Sequence, residues 1–256
     1  MSFFSYLKST GKSFLHSFKF KLPFVFVLVY ELLFVLGLAL LSWVLAQVLG
    51  SIATNIGDVN PYQFGAETMT QMQTFLTNSV LAAVLFLFAV FIWYAIVQAL
   101  CWGHVLNKTF SAKAIARFVL MNIVWLIPWT LVSWFVIAGV KGNFAVTAVV
   151  VLSVLFVHLS WLYQRAVLSN GIKKSVSIAF NTGFGNGLTF IIPYLLALIV
   201  LWLWAQLWFV IVVLLQSRGI LLEAGSAFTA VFLACVILAP FFAWLKFYFN
   251  FYSKIE

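Results

Sequence analysis

The chain has 256 residues, of which 65% are apolar and only 7% are charged, and its formal net charge is +9. A soluble globular domain has an apolar share nearer one half and a charged share of roughly a quarter, so this composition excludes that class. So much apolar surface has to face lipid or neighbouring helices, which predicts an integral membrane protein.

Six apolar runs are long enough to cross a membrane as helices, which requires about 20 residues each. The first run is too long for a signal peptide and lacks a small-residue cleavage site, so we predict a retained span. The predicted spans are 24–49, 77–103, 118–140, 144–164, 188–215 and 221–248, and a short helix is expected around 66–75. The predicted fold class is all-α, a polytopic membrane protein with six transmembrane helices in a single domain, 1–256.

The basic residues of the connecting segments are distributed asymmetrically. One side of the membrane receives twelve of them: Lys8, Lys12, Lys19, Lys21, Lys108, Lys113, Arg117, Arg165, Lys173, Lys174, Lys246 and Lys254. The other side receives only Lys141 and Arg218. Because basic loops stay in the cytoplasm, this asymmetry predicts a multi-pass protein with both termini cytoplasmic.

Amphipathic, basic stretches precede the first, third and fifth spans. Apolar residues recur in them at intervals of three and four, so we predict helices lying in the inner headgroup plane. The side chains expected to contact headgroups are Lys12, Lys113, Arg117, Lys173 and Lys174. The pattern predicts a threefold internal repeat with units of about 1–103, 104–166 and 167–248. The alternative is that any cytoplasmic loop leading into a span tends to be basic and amphipathic.

The third of these stretches carries a resemblance to known proteins. Its sequence from Lys173 to Gly183 is Lys-Lys-Ser-Val-Ser-Ile-Ala-Phe-Asn-Thr-Gly, and a long apolar run follows. This pattern resembles six-span membrane families of unknown function, and it is similar to the membrane domain of glycerophosphodiester phosphodiesterases. The resemblance implies a six-helix membrane module without catalytic residues of its own, because the soluble phosphodiesterase part is absent from this sequence.

Polar residues inside the predicted spans are the candidate functional residues, because ionisable groups in a membrane are costly. Glu31 and His158 are predicted at a similar depth in the inner half of the membrane, and Gln98 and Asn122 share that half. We predict an intramembrane polar cluster of these four residues, which exchanges a proton or orients a polar ligand. The structural alternative is that Glu31 pairs with His158 or Arg165 and that the amides join helices.

Residue spacing argues against several other kinds of site. The histidines are spread over three segments without metal-ligand spacing, so we expect no metal and no cofactor. The spans contain no aspartate and no serine, acid and histidine set, so we expect no enzymatic activity. No cluster of basic residues is dense enough to follow a phosphate backbone, so nucleic acid is not an expected partner.

Two functions remain from this reasoning. The first is a non-enzymatic accessory or scaffold module that contacts membrane lipids or another membrane protein subunit. The second is a small transporter for a lipid-like or weakly polar solute, with the inner-half polar cluster as its cavity. Helices broken at Pro128 and Pro193 would favour the transporter, because discontinuous spans mark transport sites.

Overall fold

The computed structural model describes residues 3–19, 21–54, 66–108, 111–139, 143–185, 190–217 and 231–252. They form the helices α1 (Phe3–Ser17), α2 (Leu22–Thr54), α3 (Ala66–Val105), α4 (Ala112–Gly139), α5 (Asn143–Val167), α6 (Ile172–Gly185), α7 (Ile191–Ser217) and α8 (Ala239–Tyr252). A π-helical turn, Ala234–Leu238, leads directly into α8.

Six of these helices are long and apolar enough to cross a membrane: α2, α3, α4, α5, α7 and the continuous helix that ends in α8. This confirms the predicted all-α, polytopic fold. The chain is a multi-pass membrane protein.

Helix α3 is much longer than the predicted span. Its 40 residues extend over about 60 Å, twice the thickness of the hydrocarbon layer. The helix expected around 66–75 is confirmed as helical, but it is not a short helix of its own, because this segment forms the first turns of α3. A polar helical segment can continue beyond the membrane when the backbone hydrogen bonds of the span propagate into it.

The two prolines expected to break spans do not do so. Pro128 lies inside α4, which continues on both sides of it, and Pro193 lies in the first turn of α7, where the missing N–H has no helical partner to lose. The irregular segment is instead the π-helical turn Ala234–Leu238, which comes just before Pro240. An extra residue in a helical turn accommodates the proline ring and the hydrogen bond that it cannot donate.

The short helices α1 and α6 pack on spans in similar ways. Helix α1 lies against α8, where Trp244 Nε1 donates to Ser17 Oγ at 2.9 Å. Helix α6 lies against α5 through a stripe of small buried residues that includes Ser175 and Ala179. The second unit has no separate short helix among its described residues, because α4 runs without a break from Ala112. The repeat is therefore incomplete at this position, and its unit boundaries stay a prediction.

The buried core occupies one end of the bundle, which we call the core end. Most of its residues come from the first halves of α2 and α4, the second halves of α3 and α5, and α8, and α6 and α7 add Ala179 and Ala197. These segments lie together because successive spans run antiparallel. Close approach of α2 and α3 depends on Gly37, where a Cβ atom would lie 2.2 Å from Trp93 Nε1. At the opposite end, large apolar side chains of α2, α3 and α7 are exposed, as expected for surfaces that lipid covers.

Candidate functional site: a buried polar network

A buried ion pair joins the first span to the last. Lys246 of α8 donates to Glu31 Oε1 of α2, and the two residues are only 1% and 3% exposed. The Cys101 thiol of α3 also donates to Glu31 Oε1, at 3.5 Å. On its other side, Lys246 Nζ lies 5.6 Å from the ring centroid of Trp161 on α5, a cation–π distance. Four spans therefore meet at this pair.

The partner of Glu31 differs from the expectation. The structural alternative paired Glu31 with His158 or Arg165, whereas its partner is Lys246. The placement of Lys246 among the cytoplasmic loop residues was wrong, because it lies inside α8 and is buried in the bundle. Without Lys246, eleven basic residues are predicted on the cytoplasmic side and two on the other side. This asymmetry still predicts the same orientation, and the orientation stays a prediction.

A second group of polar side chains joins α3, α4 and α5. Gln164 Nε2 donates to Asn122 Oδ1 at 2.9 Å and to the Tyr94 hydroxyl at 3.4 Å, and Gln164 Oε1 accepts from Trp102 Nε1 at 3.2 Å. Asn122 Nδ2 donates to the carbonyl oxygen of Phe118 at 2.8 Å. The Nε2 and Oε1 atoms of Gln164 therefore both have protein partners, and its side-chain amide links α5 to α3 and α4.

The ion pair and the amide group are neighbours. The Tyr94 hydroxyl, which bonds to Gln164, lies within electrostatic range of both Lys246 and Glu31. Gln98 follows Tyr94 by one turn on α3, and its side chain is buried, with an Oε1 atom that has no hydrogen-bond partner among the described residues. Three predicted site residues, Glu31, Gln98 and Asn122, thus belong to one buried polar region at the core end.

His158 has different surroundings from the other predicted site residues. Its Nδ1 shares a hydrogen bond of 2.6 Å with the Tyr194 hydroxyl of α7, and its ring packs edge-on against Phe190, with centroids 4.8 Å apart. Gly183 of α6 lies beside it, where a Cβ atom would come 2.4 Å from Leu159 Cδ2. No described hydrogen bond connects His158 to Glu31, and the exchange of a proton between them stays a prediction.

The residues expected to contact headgroups are all exposed: Lys12, Lys113, Arg117, Lys173 and Lys174. They lie on α1, on the first turns of α4 and on the first turn of α6. This exposure leaves them accessible to anionic lipid, and the contact itself remains a prediction.

Sequence reasoning missed Lys246, Tyr94 and Tyr194 as members of these groups, and it placed Gln164 only near the mouth of the predicted cluster. The signal for Lys246 was present, because it lies within the predicted sixth span, 221–248, and a lysine inside a span calls for an acidic partner. The tyrosines carried no such signal, since their aromatic rings are equally compatible with membrane surfaces. Among the described residues, no group of three or more His, Cys, Asp or Glu side chains could hold a metal ion.

Comparison with known proteins adds nothing to this description: no family model, no curated protein and no solved structure matches the chain. The similarity to the membrane domain of glycerophosphodiester phosphodiesterases therefore remains a resemblance of sequence pattern.

Proposed function

We propose that the chain is a non-enzymatic membrane module that contacts another membrane protein or lipid as an accessory or scaffold subunit. One observation carries the proposal: the charges buried in the bundle, Glu31 and Lys246, neutralise each other and join the first span to the last. A charge pair in this position stabilises one arrangement of the helices, and neither Glu31 nor Lys246 is left as an unpaired charge to bind a solute.

The amide group supports the same function. Gln164 is bonded on all sides to side chains of neighbouring spans, so its hydrogen-bonding capacity is used within the protein. Four cavities between the described helices have walls that include neither Glu31 nor Lys246. The continuous course of α4 through Pro128 also removes one argument for a transporter.

The outer surface is suited to contact with apolar partners. In the most apolar 18-residue stretch of helix α7, only 6% of the residues are buried within the chain. Its side chains Trp202 and Phe209 are 61% and 64% exposed. Lipid or the spans of another membrane protein would cover such a surface in the bilayer. Outward-facing apolar spans combined with a closed polar interior are what a module that packs laterally needs.

The test compares a charge-free variant with the unmodified protein. The double variant Glu31→Gln with Lys246→Met removes both charges and keeps side chains of similar size. If the pair acts only in packing, the purified double variant keeps the co-purifying proteins and lipids of the parent. Solute uptake by native-host cells that carry it in place of the parent also stays unchanged.

A different result for the double variant would support the transporter instead. A double variant that folds and keeps its partners, yet abolishes uptake of a solute that the parent supports, would establish the transporter and end the scaffold proposal. Lys21→Met, which changes one exposed lysine outside the predicted headgroup contacts, is the matched control for loss of a positive charge.

A further inference from the structure

A polar cavity of about 370 Å³ lies between the end of α5 and the second half of α6. Arg165, in the last turn of α5, lines it together with three other polar side chains, those of Ser169, Asn170 and Thr182. Leu162 forms part of its apolar wall. The cavity, which is partly open, therefore places a guanidinium, two hydroxyls and an amide close together at the core end of the bundle. The Asn170 Nδ2 group also donates to the carbonyl oxygen of Ala166 at 3.0 Å.

A second cationic side chain, that of Lys108, lies at the rim of this cavity. Helix α3 ends in a reversal at Asn107, whose φ of 53° is left-handed, and the N–H of Lys108 returns to the carbonyl oxygen of Gly103 at 2.9 Å. This turn directs Lys108 across to the connection after α5, where its Nζ lies 2.5 Å from Ser169 Oγ and 3.5 Å from the carbonyl oxygen of Leu168. The local backbone thus fixes a lysine next to a side chain that lines the cavity.

No acidic side chain is among the described residues that line the cavity. A planar guanidinium presents paired N–H groups that match two oxygens of a phosphate, and hydroxyl and amide groups complete the coordination of the others. Basic pockets between membrane helices near the bilayer surface bind phosphate-containing headgroups in this way.

We propose that this cavity binds a phosphate group, with Arg165 as the principal donor and Lys108 as the second cation. The phosphate belongs either to an anionic lipid headgroup or to a free phosphate anion. The inference rests on the proposed function in one respect, which is that the chain contacts lipid. It does not require a protein partner.

The test measures binding of a fluorescent short-chain phosphatidic acid to the purified full-length chain in nonionic detergent, with inorganic phosphate as the competitor. Loss of a charge-assisted hydrogen bond is expected to weaken binding about ten- to a hundredfold in Arg165→Gln. Arg165→Lys should recover part of the loss because it keeps the charge. The matched control Lys21→Gln removes an exposed charge that lies outside the cavity and outside the set of predicted headgroup contacts, and it should change affinity less than about twofold.

Each result has a defined meaning. If only Arg165→Gln weakens binding of the fluorescent lipid, and millimolar phosphate does not compete, the site binds a lipid headgroup. If phosphate does compete, the site binds a free anion. Equal weakening by Lys21→Gln, or none by Arg165→Gln, overturns the proposal. If Arg165→Gln does not fold, Thr182→Val takes its place, and unchanged affinity in that variant also overturns it. Loss of co-purifying proteins bears only on the scaffold function.

Discussion

The buried pair between Glu31 and Lys246 leads to the most demanding prediction about stability. Both side chains are almost completely removed from solvent, at 3% and 1% exposure, so each would be left as a buried unpaired charge without the other. Breaking such a pair costs about 3–5 kcal/mol, against about 0–1 kcal/mol for an exposed pair. We therefore expect Glu31→Gln and Lys246→Met each to lower the free energy of unfolding by about 3 kcal/mol or more.

The double variant should behave differently from the sum of its parts. Removing both charges leaves no unpaired ion, and similar-sized neutral side chains often replace a buried pair at little cost. The loss in the double variant should therefore be at least about 2 kcal/mol smaller than the summed losses of the single variants.

The assay is equilibrium unfolding in mixed micelles with increasing SDS, followed by tryptophan fluorescence, for the parent, both single variants and the double variant. Lys173→Met serves as the control for an exposed lysine and should change stability by less than about 0.5 kcal/mol. Single-variant losses that add up in the double variant to within about 0.5 kcal/mol would refute the reasoning, because the two charges would then act independently.

Three further predictions concern the amide group, the α5–α6 contact and the topology. Gln164→Leu removes three interhelical hydrogen bonds, so the same unfolding assay should show a loss of about 2 kcal/mol, at about 0.6 kcal/mol per bond plus the unpaired groups left behind. Gly183→Ala places a Cβ atom 2.4 Å from Leu159 Cδ2, and the resulting overpacking should cost about 1–3 kcal/mol in that assay. A cysteine replacing Lys12 should react with a membrane-impermeant maleimide only after permeabilisation, because the basic asymmetry predicts a cytoplasmic N-terminus.

Each of these predictions has a matched control. Ser177→Ala changes an exposed polar residue of α6, and a loss equal to that of Gln164→Leu would show that the amide bonds contribute nothing special. Gly185→Ala adds the same Cβ atom where nothing lies within 4 Å, so an equal loss at both glycines would contradict the steric explanation. A cysteine replacing Lys141 should react in intact cells, and the reverse labelling pattern would invert the topology.

How far the sequence predicts the polar site depends on the kind of residue. Glu31 and Asn122 were identifiable because polar groups in apolar runs are costly and need partners. Their partners were not identifiable, since pairing across spans depends on which helix faces lie together. Lys246 illustrates the difficulty: its position inside the last predicted span called for an acidic partner, but the sequence did not show which acidic side chain that partner is.

The amino-acid sequence alone determined the fold class and the number of spans, because apolar runs of about 20 residues have no other stable conformation in lipid. It did not determine that α3 continues well beyond its apolar run or that the second amphipathic stretch merges with α4, since helices propagate through neighbouring residues of adequate propensity. Only the tertiary structure decided that Glu31 meets Lys246 and that His158 meets Tyr194. The physical reason is that burial and spacing are local properties of one helix, whereas the choice of partner depends on how all the helices pack together.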